Sequence, residues 1–140
     1  MLKKILIFDG SDFRNDLIKV IENYSNLNID YDAIPNEEIT TDKIKTFIKN
    51  NVTSDKYAMI FCHLRWFSEN IESLDNLKKS DWFQPIFKIT NRIGVSNGSN
   101  FRKEAEKLKL FNPPCYSHEE AAQYLRRVLN ERSERQKNKK

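Results

Sequence analysis

The residues best equipped for chemistry in this 140-residue chain are its two histidines, His63 and His118, its two cysteines, Cys62 and Cys115, and the acid Asp9. His63 ends an almost unbroken apolar run, Tyr57–His63 (YAMIFCH). An imidazole there could act as a base, accept a phosphoryl group, or sense pH or a ligand. Cys62 cannot assist it, because successive strand residues point to opposite faces. Asp9 is the candidate partner, one strand spacing of about 4.8 Å away. Cys115 and His118 could pair as nucleophile and base, but a fifth strand two spacings from the third would leave His63 out of their reach unless the loop folds over. The same residues lack the spacing and the fourth group of a zinc site, so neither a metal nor a cofactor is expected.

A polar stretch, Asn91–Asn100 (NRIGVSNGSN), holds two of the three glycines. Its backbone N–H groups could cradle a phosphate ahead of a helix, although neither the Walker pattern nor the dinucleotide fingerprint is present. With the turn after the first strand, it defines a set of ligand-pocket candidates: Asp9, Ser11, His63, Thr90, Arg92 and Gly94. Aromatic surface in connecting segments is the other signal. Trp82 and Phe83 are expected to pack over their own helix, and Arg65 and Trp66 to serve as a lid or a partner contact.

These residues need a scaffold, and the hydrophobic pattern supplies one. Tyr57–His63 reads as a strand buried on both faces, as does Lys4–Asp9 (KILIFD). Asn28–Ile34 alternates apolar and polar residues and suits a sheet edge. Pro85–Thr90 (PIFKIT) reads as a fourth strand with proline at its first position, and Leu110–Asn112 as a poor fifth one closed by Pro113 and Pro114. Helical stripes lie between them: Phe13, Leu17, Val20, Ile21, Tyr24; then Ile44, Phe47, Ile48; then Ile71, Leu74, Leu77; then Phe101, Ala105, Leu108. Gly10-Ser11-Asp12 and Thr40 or Thr41 offer caps to the first two helices, and Ser68 a start to the third. The final helix starts with Ser117 and Glu120 at capping-box spacing, and Ala121, Leu125, Val128 and Leu129 run down it. Alternation of this kind predicts a three-layer α/β domain, with parallel strands and helices on both faces. The carboxyl edge of its sheet would gather Asp9, His63, Thr90 and Gly94.

The formal charge of +4 is concentrated at the end of the chain, where Arg132, Arg135, Lys137, Lys139 and Lys140 face only Glu134. Residues 1–131 are therefore net neutral and form the expected domain, with 132–140 as a basic tail. Such a tail is usually a solvated helix end, with nucleic-acid contact the minority reading. No apolar run approaches the roughly 20 residues of a membrane span, no signal peptide is evident, and two cysteines make no disulfide framework. A cytoplasmic protein with no membrane partner is expected.

Ile5–Phe13 (ILIFDGSDF), Tyr57–Leu64 (YAMIFCHL) and Ser117–Leu129 (SHEEAAQYLRRVL) resemble the first strand with its acidic turn, the third strand and the last helix of bacterial response-regulator receiver domains. The resemblance runs over about residues 3–130 and implies a flavodoxin-like, five-stranded sheet of order 2-1-3-4-5. It also implies an aspartyl-phosphate site with one Mg²⁺, and here the chain departs. Asp9 matches one of the family's two adjacent metal-binding acids, and Gly10 replaces the other. His63 stands where the acceptor aspartate would be. Thr90 matches the hydroxyl residue ending the fourth strand, and Asn112-Pro113-Pro114-Cys115 holds no lysine to meet a phosphoryl group. One carboxylate beside an imidazole is a poor site for Mg²⁺, which wants several hard oxygens.

The expectation is a degenerate, phosphorylation-independent receiver in a bacterial signalling pathway, not an enzyme, acting through a protein partner or self-association. By resemblance, Tyr116, Tyr124 and Arg127 would form its contact face. The competing expectation is a small-molecule or nucleotide-binding domain, or a small hydrolase, using the crevice at the carboxyl edge.

Overall fold

A computed structural model describes residues 4–8, 12–34, 41–63 and 74–137. Within these, β1 (Lys4–Phe8), α1 (Asp12–Glu22), β2 (Tyr31–Ile34), α2 (Thr41–Asn51) and β3 (Tyr57–His63) follow one another. Next come α3 (Leu74–Lys79), the single turn α4 (Gln84–Phe87), β4 (Asn91–Val95), α5 (Ser99–Lys107) and the long α6 (His118–Lys137). The four strands pair in parallel in the order β2-β1-β3-β4. With β1 and β3 central and helices on both faces, this is a three-layer α/β architecture of the flavodoxin-like kind.

Each face of the sheet has its own core. Leu6, Phe8, Ile60 and Cys62 pack with Ile44, Ile48, Leu77, Phe83 and Ala105 from α2 and the segments between α3 and α5. Ile5, Ile7, Met59 and Phe61 pack with Phe13, Leu17, Leu125 and Leu129 from α1 and α6. A register shift opposite Lys4 and Ile5 skips Ala58, so Tyr57 turns back toward the first of these layers. There its hydroxyl donates to Asp32 at 2.5 Å, and Lys4 lies 3.5 Å from the same carboxylate. This clasp ties β2, β1 and β3 together at their amino ends.

The stripes expected on the first two helices are present: Phe13, Leu17, Val20, Ile21, Ile44 and Ile48 are buried. Leu74 and Leu77 are buried on α3, whereas Phe101 on α5 faces solvent. The edge strand starts at Tyr31, after Asn28 in the left-handed region at φ 54°. Trp82 and Phe83 belong to the core beneath α2, with Phe83 fully buried and the Lys45 ammonium 5.4 Å from the Trp82 ring. The capping box forms: Glu120 N–H donates to Ser117 Oγ, and the Ser117 hydroxyl donates to Glu120 Oε1 at 2.8 Å. α6 passes residue 131 without a break and stays helical through Lys137.

Two strand assignments change. Pro85–Thr90 is not a strand: Gln84–Phe87 is a helical turn with proline in its first positions, where a missing N–H is harmless. Ile86 in that turn and Ile89 just beyond it are buried three residues apart. The fourth strand is Asn91–Val95, inside the stretch expected to be a polar loop.

Among the described residues the sheet has four strands rather than the expected five. Residues 112–116 run beside β4 and bond to it only at their ends, through Arg92 with Asn112 and Val95 with Tyr116. Pro113 and Pro114 fall between those bridges and can donate no ladder hydrogen bond.

Candidate functional site

His63 is the last residue of β3, opposite Val95 at the end of β4. The alternation along β3 aims it at the α1 and α6 side of the sheet, away from Cys62. On that side the chain makes a short crossing. Tyr116 bridges to Val95, and two residues later His118 opens α6 over the same edge. The chain's two histidines therefore meet, with ring centroids 5.2 Å apart and planes inclined at 56°.

His118 is held by Phe13 and by Asn97. Its ring stacks on Phe13 at the start of α1, 4.5 Å between centroids and 12° between planes. Its backbone N–H donates to Asn97 Oδ1 at 3.3 Å, and Asn97 Nδ2 lies 3.3 Å from His118 Nδ1. Asn97 sits two residues beyond β4, beside the buried Ser96. The Ser96 hydroxyl accepts the Gly98 N–H at 3.0 Å, and its carbonyl takes the Arg102 guanidinium at 2.7 Å. A groove of about 610 Å³ opens alongside between α1 and α6; Asp16 and Glu119 balance Lys19 and Arg126 on its walls.

The other pocket candidates disperse. Asp9 and Ser11, like Arg65 and Trp66, lie outside the described residues. Thr90 and Arg92 are at the amino end of β4, the opposite end of the sheet from His63, because the strand begins later than expected. Arg92 acts as a clamp there. Its guanidinium donates to the Leu110 carbonyl at 2.8 Å and the Ile89 carbonyl at 3.2 Å, and sits 5.2 Å from the Phe87 ring centroid. Gly94 faces the layer away from His63, where the Phe111 ring fills the space a side chain would need.

Of the contact-face candidates, Tyr116 and Tyr124 pack 5.7 Å apart, and the Arg127 guanidinium lies 5.3 Å from the Tyr124 ring centroid.

Cys115 packs against the layer opposite that of His118, so the two do not form a nucleophile pair. Burial pushes the Cys115 thiol up to about 12, and burial raises the Cys62 thiol and the Tyr57 phenol as well. All three groups are neutral in the folded chain, whereas unfolded thiols ionise around 9.0. Their contribution to stability is thus complete below pH 9.0 and declines as pH climbs toward about 12. Thermal melts should show an alkaline loss of stability over that range, and Cys115→Ser should make it shallower. Among the described residues no group of three or more His, Cys, Asp or Glu side chains could hold a metal ion.

A fifth strand would keep His63 and His118 apart unless the loop folds over, and here the segment after Tyr116 does cross the edge and brings the two rings together. The capping box carried the signal: it starts the last helix at His118, and in alternating α/β folds helices start at the carboxyl edge. No protein-family model matches the chain, and no curated protein or solved structure shows significant similarity to it. What the structure shows is an α/β fold consistent with the flavodoxin-like class, with a parallel sheet of order β2-β1-β3-β4 between helical layers.

Proposed function

We propose that the chain is a receiver-like regulatory module that works through protein contact and takes up no phosphoryl group. The observation that carries this reading is the imidazole of His63 at the end of the central strand, packed on a second imidazole. A receiver presents its acceptor carboxylate there. Ser96, rather than Thr90, follows the fourth strand, and its hydroxyl is already engaged by Gly98. Residues 112–115 supply no lysine.

The contact face we assign is the flank of α6 with the segment before it, where Tyr116 and Tyr124 are half-buried and Arg127 is exposed. Tyr116, Tyr124 and Arg127 form one continuous packed group there. Tyrosine and arginine are the residue types that most often dominate binding energy. Tyr124→Ala and Arg127→Glu should each weaken self-association or partner capture at least tenfold, about 1.4 kcal/mol. Lys78→Gln on the exposed side of α3 should leave it unchanged. Sedimentation for self-association and quantitative pull-down for a partner measure both. Equal binding by all three variants would remove α6 as the contact face.

A further inference from the structure

α6 outlasts the body it packs on. Leu129 is its last buried residue, yet the helix runs on to Lys137, about 12 Å further at the rise of an α-helix. Residues 134–137 are all exposed, and four consecutive residues go once round a helix, so every side of these last turns meets solvent. Residues 130–140 hold no apolar side chain. Charge distinguishes them instead. Residues 126–140 carry seven basic side chains against two acids, a net +5 where the whole chain is +4. Glu119 and Glu120 lie in the first turn, so α6 is acidic where it starts and basic where it leaves the body. Lys137 pairs with Glu134 at 3.8 Å, whereas Arg132 and Arg135 have no ion-pair partner among the described residues. Those two arginines are three residues apart and share one side of the helix.

We propose that the last turns of α6 bind the phosphate backbone of duplex DNA, with Arg132 and Arg135 as the principal contacts. A planar guanidinium meets two phosphate oxygens at once, and charge-assisted hydrogen bonds of this kind are the stronger ones. Other polyanions fit less well. A helix on a membrane surface buries an apolar face beside its basic one, and α6 has none past Leu129. Single strands are held by stacking on aromatic rings, and no aromatic residue follows Tyr124. The major groove of duplex RNA is too narrow to read, whereas that of B-DNA, about 12 Å wide, admits an α-helix. The first-turn acids repel phosphate, which keeps the DNA at the far end of α6. Backbone contact alone carries no base specificity. The proposal goes beyond the regulatory reading and stands without it, because it rests on other residues than Tyr116, Tyr124 and Arg127.

The test is fluorescence anisotropy of a labelled, mixed-sequence duplex DNA titrated with the full chain over a series of sodium chloride concentrations. The wild type should bind saturably at low salt, and log affinity should fall with log salt at a slope of about −3, as for roughly three neutralised phosphates. Arg132→Gln with Arg135→Gln should weaken binding at least tenfold at low salt and make the slope shallower by about 2, one for each lost contact. Glutamine keeps the helix propensity, so the thermal melt of that variant should match the wild type. Lys78→Gln with Lys103→Gln removes the same charge from exposed positions on α3 and α5 and should change neither affinity nor slope. Duplex RNA and single-stranded DNA of the same sequence should bind at least threefold more weakly. Absence of saturable binding to duplex DNA overturns the proposal, and capture by phosphatidylserine vesicles in that case would make these turns a membrane contact instead. Wild-type affinity in the folded arginine variant overturns it too. So does an equal loss in the lysine variant, or equal binding of RNA or single strands.

Discussion

Gly94→Val should destabilise the domain by about 3 kcal/mol, the upper part of the range for overpacking a tight core. A Cβ at position 94 would stand 2.4 Å from Phe111 Cδ2 and 2.6 Å from Cε2, distances that real side chains do not reach. The ring has little room to retreat: Phe111 is 7% exposed, and the next residue is tied to Arg92 by backbone hydrogen bonds in both directions. Gly94→Ala should therefore be clearly destabilising in the wild type and nearly neutral in a Phe111→Ala background. Urea denaturation of the four proteins measures that coupling directly. Two additive mutations would mean that the glycine serves something other than the ring.

Ile60→Asp should leave no folded protein. Ile60 is completely buried in β3 between Leu6 of β1 and Arg92 of β4, facing the α2 layer. A carboxylate there would lose its water without gaining a partner, which costs more than a domain of this size can spare. Ile60→Val removes only a methylene and should cost about 0.5–1.5 kcal/mol. Circular dichroism should show a cooperative melt for the valine variant and none for the aspartate one. A folded Ile60→Asp protein would mean that β3 is not the centre of the sheet.

The sequence made the fold legible wherever burial follows a simple period. The apolar runs of β1 and β3, and the stripes of α1, α2 and α6, are visible because each element buries one whole face or both. The region of β4 resisted reading for a physical reason. Gly94 sits in the strand to admit Phe111, yet a glycine between polar residues looks like a loop. Pro85-Ile86-Phe87 looks like a strand, yet proline also suits the first turn of a helix.

That one shift of register reassigned half of the expected site. Thr90 and Arg92 went to the wrong end of the sheet for a ligand shared with His63, and Gly94 became a packing residue. The joining of His63 with His118 depends on how an interrupted edge segment crosses back over β4. Local periodicity does not encode such a crossing, although the cap at Ser117 marks where it ends.

The central claim is that the end of the central strand, closed by His63, is not a phosphoryl acceptor. The most direct measurement is intact-mass spectrometry, at neutral pH without acid, after incubation with acetyl phosphate or phosphoramidate and Mg²⁺. The account predicts that no phosphoryl adduct forms on the protein. An adduct retained by the wild type and lost in His63→Ala would contradict it.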